Sequence, residues 1–185
     1  PDGAENAHLI IEGGKICNSS KTAIYCNSSG STVQIEGGYI YNNTSYSNGG
    51  AIAAGTGSTI NITGGCIFGN TTASGFGGAI YSEGADVIVS GGYIFSNSAS
   101  TNSQGGGGAI YAQGGSVELK GGYLFDNSAR GGYGGAVYMN DGTLTVSGSA
   151  VLAGNRSVKD GGIEGTGTLD AGGGAVALFG TTGAT

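Results

Sequence analysis

The chain has 185 residues, the size of one ordinary domain, with 43 glycines, a single proline and a formal net charge of −6. Lys15, Lys21, Lys120, Arg130, Arg156 and Lys159 are scattered rather than gathered in a stripe, which argues against nucleic acid as a partner. No apolar run approaches the roughly 18 residues of a membrane-crossing helix, and charged residues, at 10%, are too few for a self-repelling disordered tail.

Taken in chain order, the first apolar stretch is Leu9-Ile10-Ile11, followed across Gly13-Gly14 by Ile16. Next come Ile24, then Val33-Gln34-Ile35, then Tyr39-Ile40-Tyr41, each bounded by glycine or small polar residues. The same order then returns. Leu9, Val33, Ile60, Val87, Val117, Leu144 and Leu169 open seven equivalent runs at intervals of 24, 27, 27, 30, 27 and 25. A second column holds Ile16, Ile40, Ile67, Ile94, Leu124, Val151 and Val176, and a third Ile24, Ile52, Ile80, Ile110, Val137 and Ile163. A fixed period of this size marks a repeat architecture.

Each run is short and β-branched, and Val33-Gln34-Ile35, Ile60-Asn61-Ile62 and Val117-Glu118-Leu119 alternate apolar with polar, the pattern of a strand buried on one side. Helices would not tolerate this density of glycine. The spacing therefore predicts an all-β parallel β-helix of about seven coils, each of roughly 27 residues and three short strands. Glycine pairs recur as GGAI at Gly49, Gly77 and Gly107 and as GGAV at Gly134. They suit sharp corners, where glycine takes positive φ without a Cβ penalty. They are not phosphate cradles, since no strand–glycine–helix unit follows them, and no cofactor is expected.

GGA[IV] and the companion motif GGYIYNN (37–43), GGCIFGN (64–70), GGYIFSN (91–97) and GGYLFDN (121–127) resemble the glycine-rich parallel β-helix repeats of bacterial surface proteins. GGA[IV] resembles the repeats of polymorphic outer-membrane proteins and related autotransporter-passenger adhesins, which implies a right-handed parallel β-helix. In that pattern Phe and Asn stand as FxxN; here the spacing is Phe68-Gly-Asn70, Phe95-Ser-Asn97 and Phe125-Asp-Asn127. The resemblance covers about residues 9–179 of a single domain over 1–185, with a short tail at 180–185. It implies an extracellular or cell-surface location in bacteria and a non-enzymatic structural or adhesive module. The alternative on the same architecture is a polysaccharide-binding or lyase-like protein. The start at Pro1 is read as that of a processed or excised part of a longer surface protein.

Three groups of side chains could carry function. Asn43, Asn70, Asn97 and Asn127 fall at one corner, where stacked amides can form a ladder. If Ile40, Ile67, Ile94 and Leu124 point inward, then Tyr39, Tyr41, Phe68, Tyr93, Phe95, Tyr123 and Phe125 point outward as an aromatic contact face for protein or glycan. A second file, Tyr25, Tyr81, Tyr111 and Tyr138, also lies outside if the small residues Cys26, Ala54, Ser82 and Ala112 face inward. The alternatives are loops folded over the rings, or Phe rather than Ile in the core.

Acidic residues form no cluster in the aligned columns, so no catalytic or metal residues are assigned; Glu12 and Glu36 read as a solvated pair. Cys17, Cys26 and Cys66 lack metal-ligand spacing and read as thiols. Asn-x-Ser/Thr sequences stand at Asn18, Asn27, Asn42, Asn43, Asn61, Asn70 and Asn155. Neither end of the sequence carries a polar cap, from which head-to-tail or lateral self-association into fibres is expected.

Overall fold

The computed structural model describes residues 6–100, 106–158 and 174–180. Among them every regular element is a strand. The strands stack into four parallel sheets, and each strand pairs in register with its counterpart one coil away.

Sheet 1 is built from His8–Ile11, Thr32–Ile35, Thr59–Ile62, Asp86–Val89, Ser116–Leu119 and Thr143–Val146. Sheet 2 follows in each coil: Lys15–Cys17, Tyr39–Tyr41, Cys66–Phe68, Tyr93–Phe95, Tyr123–Phe125 and Val151–Ala153. Sheet 3 holds the short strands Thr44–Ser45, Thr71–Thr72, Ser98–Ser100, Ser128–Arg130 and Arg156–Val158. Sheet 4 closes the circuit with Ile24–Cys26, Ile52–Ala54, Ile80–Glu83, Ile110–Gln113, Val137–Asn140 and Val176–Phe179. The result is a β-solenoid of about 5 turns with a spacing near 27 residues.

Period-two alternation decides what lies inside. Val33, Ile60, Val87 and Val117 of sheet 1 are 0–1% exposed, as are Ile40, Ile67, Ile94 and Leu124 of sheet 2. Ile52, Ile80, Ile110 and Val137 of sheet 4 are fully buried. Sheet 3 buries small side chains, Ser45, Thr72, Ala99, Ala129 and Ser157, and the Thr72 hydroxyl bonds to the Gly75 carbonyl of the turn that follows.

Three expectations change. Seven coils become about 5 turns: Leu169 and Ile163 lie outside the described residues, and Val176 belongs to sheet 4, paired with Val137. Three strands per coil become four, because sheet 3 strands are two or three small or polar residues without an apolar signature. Leu152, not Val151, continues the inward column of Leu124, while Val151 continues that of Tyr123. At the first described strand His8 pairs with Thr32 in sheet 1, and its Nδ1 lies 2.8 Å from Thr32 Oγ1.

The glycine corners are set by contact between successive backbones. A Cβ on Gly50 would strike the carbonyl oxygen of Gly78; one on Gly78 would strike that of Gly108, and one on Gly108 that of Gly135. The residue before each also needs the left-handed region, with φ of 68° at Gly49, Gly77 and Gly107 and 67° at Gly134. Gly78→Ala is therefore expected to destabilise the fold by about 2 kcal/mol or more, because backbone rather than a flexible side chain must give way. A methyl at Gly13 meets nothing within 4 Å, so Gly13→Ala should stay within about 0.5 kcal/mol of the parent. Urea denaturation of the two variants checks both; equal midpoints would remove the stacking argument.

Candidate contact surface

The outward side of sheet 2 carries two parallel columns. One reads Lys15, Tyr39, Cys66, Tyr93, Tyr123, Val151; the other reads Cys17, Tyr41, Phe68, Phe95, Phe125, Ala153. Tyr39, Tyr93 and Tyr123 are each close to half exposed, at 48%, 47% and 47%. Tyr41, Phe68, Phe95 and Phe125 are partly buried and stack in one continuous pile, with centroids 5.0, 4.9 and 4.8 Å apart and planes within 6°. Tyr93 and Tyr123 stack at 5.3 Å. The in-register parallel pairing produces this directly: identical positions in successive coils sit one strand spacing apart, which is also a favourable distance for offset aromatic stacking.

The strip is held in place along one edge by asparagine. Asn43, Asn70, Asn97 and Asn127 are fully buried. Asn43 Nδ2 donates to Asn70 Oδ1 at 2.9 Å, Asn70 Nδ2 to Asn97 Oδ1 at 3.0 Å, and Asn97 Nδ2 to Asn127 Oδ1 at 3.0 Å. Each Oδ1 also accepts the backbone N–H of the preceding asparagine. The second amide hydrogens cap carbonyls of sheet 2, those of Ile16, Ile40, Ile67 and Ile94. A fifth member, Asn155, accepts from Asn127 Nδ2 at 2.8 Å and donates to Leu124 O. Sequence reading noted Asn155 only as an Asn-x-Ser position; the signal that could have placed it in the ladder was its separation of 28 from Asn127.

Immediately before each ladder position the chain turns through left-handed backbone, at Asn42, Ser96 and Asp126 (each φ 53°), Gly69 (φ 62°) and Gly154 (φ 61°). Three of the five are not glycine, and each such residue costs roughly 1–2 kcal/mol. The buried amide bonds that fix the corner offset that strain.

Sheet 4 carries the second aromatic file, with a different outcome. Its outward column reads Tyr25, Ala53, Tyr81, Tyr111, Tyr138, Ala177, so the expected tyrosine file is interrupted at Ala53. Tyr25 is 72% exposed, whereas Tyr111 and Tyr138 are only 6% and 7% exposed. They are not a free surface. Phe76 stacks on Tyr111 at 4.6 Å, Phe179 stacks on Tyr138 at 5.1 Å, and Tyr133 packs against the same cluster. Burial pushes the Tyr111 phenol up to about 12, with Tyr138 and Tyr81 adding to the shift, and burial likewise raises Tyr81 and Tyr138.

Cys17 and Cys66 stand in the outward columns of sheet 2, whereas Cys26 is buried inside sheet 4; all three are free thiols. On sheet 1, the Glu118 carboxylate pairs with Lys120.

Asn70→Ala would leave the backbone N–H of Asn43 without its acceptor and remove one bond each from Asn43 Nδ2, the Ile40 carbonyl and Asn97 Oδ1 in a buried corner. A loss of about 2–4 kcal/mol is expected from thermal or urea unfolding. Burial keeps the Tyr111 phenol protonated, so its contribution is complete below the ordinary value of 10.0. Between that value and about 12 the unfolded chain releases its proton first, and stability falls as pH rises. Tyr111→Phe should flatten this alkaline decline, and unfolding curves taken across that window read it.

Comparison of the chain with protein-family models, with curated proteins and with solved structures finds no match in any of the three.

Proposed function

We propose that the chain is a non-enzymatic structural or adhesive module of a bacterial surface, a right-handed parallel β-helix that associates laterally with copies of itself through the aromatic strip on sheet 2. Right-handed winding is the sense favoured when a right-twisted strand returns to a parallel neighbour. The observation that carries the reading is the strip itself: seven aromatic side chains in two columns on one face, spaced by the coil repeat. Tyr39, Tyr93 and Tyr123 hold about half of their surface in water, next to the partly exposed pile of Tyr41, Phe68, Phe95 and Phe125.

A second copy has the same repeat, roughly 4.8 Å per coil. Two such strips therefore meet ring for ring along their whole length, which an irregular globular surface cannot do. Lys15 is the charged residue of the two columns and lies at one end, away from the ring pile. The resemblance to surface repeat proteins supports the extracellular setting.

Sedimentation and negative-stain microscopy at micromolar concentration test the proposal. The native chain should form side-by-side assemblies larger than the 17.8 kDa unit. Tyr93→Lys combined with Tyr123→Lys places two ammonium groups in the strip without touching the core and should return the monomer. A native chain that sediments only as a 17.8 kDa monomer would refute self-association. Assemblies that survive both lysines would refute the strip as their contact.

A further inference from the structure

The interruption of the tyrosine file on sheet 4 leaves a slot. Ala53 stands between Tyr25 and Tyr81 in the register, so the two rings belong to coils two steps apart, roughly 9.6 Å along the axis. One face of Tyr81 is taken by Tyr111, with centroids 5.4 Å apart, and its coil is followed on the other side by the Ala53 methyl group. A cavity of about 190 Å³ opens there, with Ala53, Ala54 and Gly55 as its floor and Tyr25 and Tyr81 in its walls. Asn27, Asn48 and Glu83 stand around it.

The chain shows what the missing layer does elsewhere. At Ala177, the other alanine of this outward column, Phe179 stacks on Tyr138 and supplies a ring. Phe76 likewise adds a ring to Tyr111. At Ala53 the cavity remains, and Tyr25 beside it is 72% exposed.

We propose that this slot binds one pyranose residue of a carbohydrate, held between the faces of Tyr25 and Tyr81, with its hydroxyls bonded to Asn27, Asn48 and Glu83. Three properties select this ligand. The gap accepts a single ring layer, because aromatic partners on this sheet stack at 4.6 to 5.4 Å and the gap is two coil steps wide. The walls are aromatic faces, which the C–H side of a sugar ring covers well. The rim combines two amides with a carboxylate, so it offers both donors and acceptors around one ring. A phenol or indole carries a single polar group and would leave most of that rim unbonded. The Asn48 Oδ1 already accepts the backbone N–H of Phe76 and the side chain is hydrogen-bonded to the Tyr81 hydroxyl, which fixes the amide at the rim with one Nδ2 hydrogen to offer a sugar. The slot lies on sheet 4, and the proposal stands independently of lateral association through sheet 2.

Saturation-transfer NMR with the methyl glycosides of glucose, galactose, mannose and N-acetylglucosamine, each at millimolar concentration, tests it, with p-cresol as the aromatic comparison. At least one glycoside should receive saturation at its ring protons. Ala53→Tyr, which installs the residue found at this position in four other coils, should abolish the transfer while the far-ultraviolet spectrum stays native. Tyr25→Ala, at an exposed position, should weaken binding about tenfold. The proposal is overturned if none of the four glycosides binds, if binding is unchanged in both variants, or if p-cresol binds the slot more tightly than every sugar.

Discussion

Each coil rests on the next through backbone contact at the glycine corners. Gly50, Gly78, Gly108 and Gly135 bring successive chains so close that no side chain fits between them. With the corners fixed, the strands on either side must pair in register, and every outward column repeats at the strand spacing. Core, ladder and aromatic pile all follow from that single repeat distance. A side chain that stacks well on its own kind is reinforced in every coil, whereas one that repels its own kind would be penalised at every step.

The two aromatic faces show how local context divides one geometry into two roles. On sheet 2 the rings project from three-residue strands, and among the described residues they stack on one another rather than under a ring from a turn. On sheet 4 the preceding turns are longer and carry Phe76 and Tyr133, which fold back over Tyr111 and Tyr138. The first face keeps its rings partly in water; the second turns them into a satellite core and raises their phenol pKa values by desolvation.

Much of the fold was legible in the sequence because the large inward side chains repeat with glycine at fixed offsets. Ile40, Ile67, Ile94 and Leu124 could be aligned from spacing alone, and the register pairs them. Sheet 3 was not legible, since Ser45, Thr72 and Ala99 are too small to mark a strand by hydrophobicity. Val151 and Leu152 offered two equal candidates for one inward position, and only the pairing with Tyr123 and Leu124 distinguishes them. Val176 was placed in the wrong column because the unit after Val137 exceeds the usual period. The covering of Tyr111 was invisible for a different reason: Phe76 and Tyr133 sit in turns, outside any repeat that alignment could use.

The buried ladder also bears on how the chain can be made. Asn43, Asn70 and Asn155 each begin an Asn-x-Ser/Thr sequence, and each must place its side-chain nitrogen inside the corner. An oligosaccharide transferred to that nitrogen during synthesis would occupy the space of the adjacent coil before the coil could close. A secretory pathway that attaches glycans to emerging chains therefore competes directly with folding at three positions. A cell that lacks this modification, or folds the chain before meeting it, faces no such competition. Three amides held within the ladder thus decide which expression hosts can yield the native solenoid.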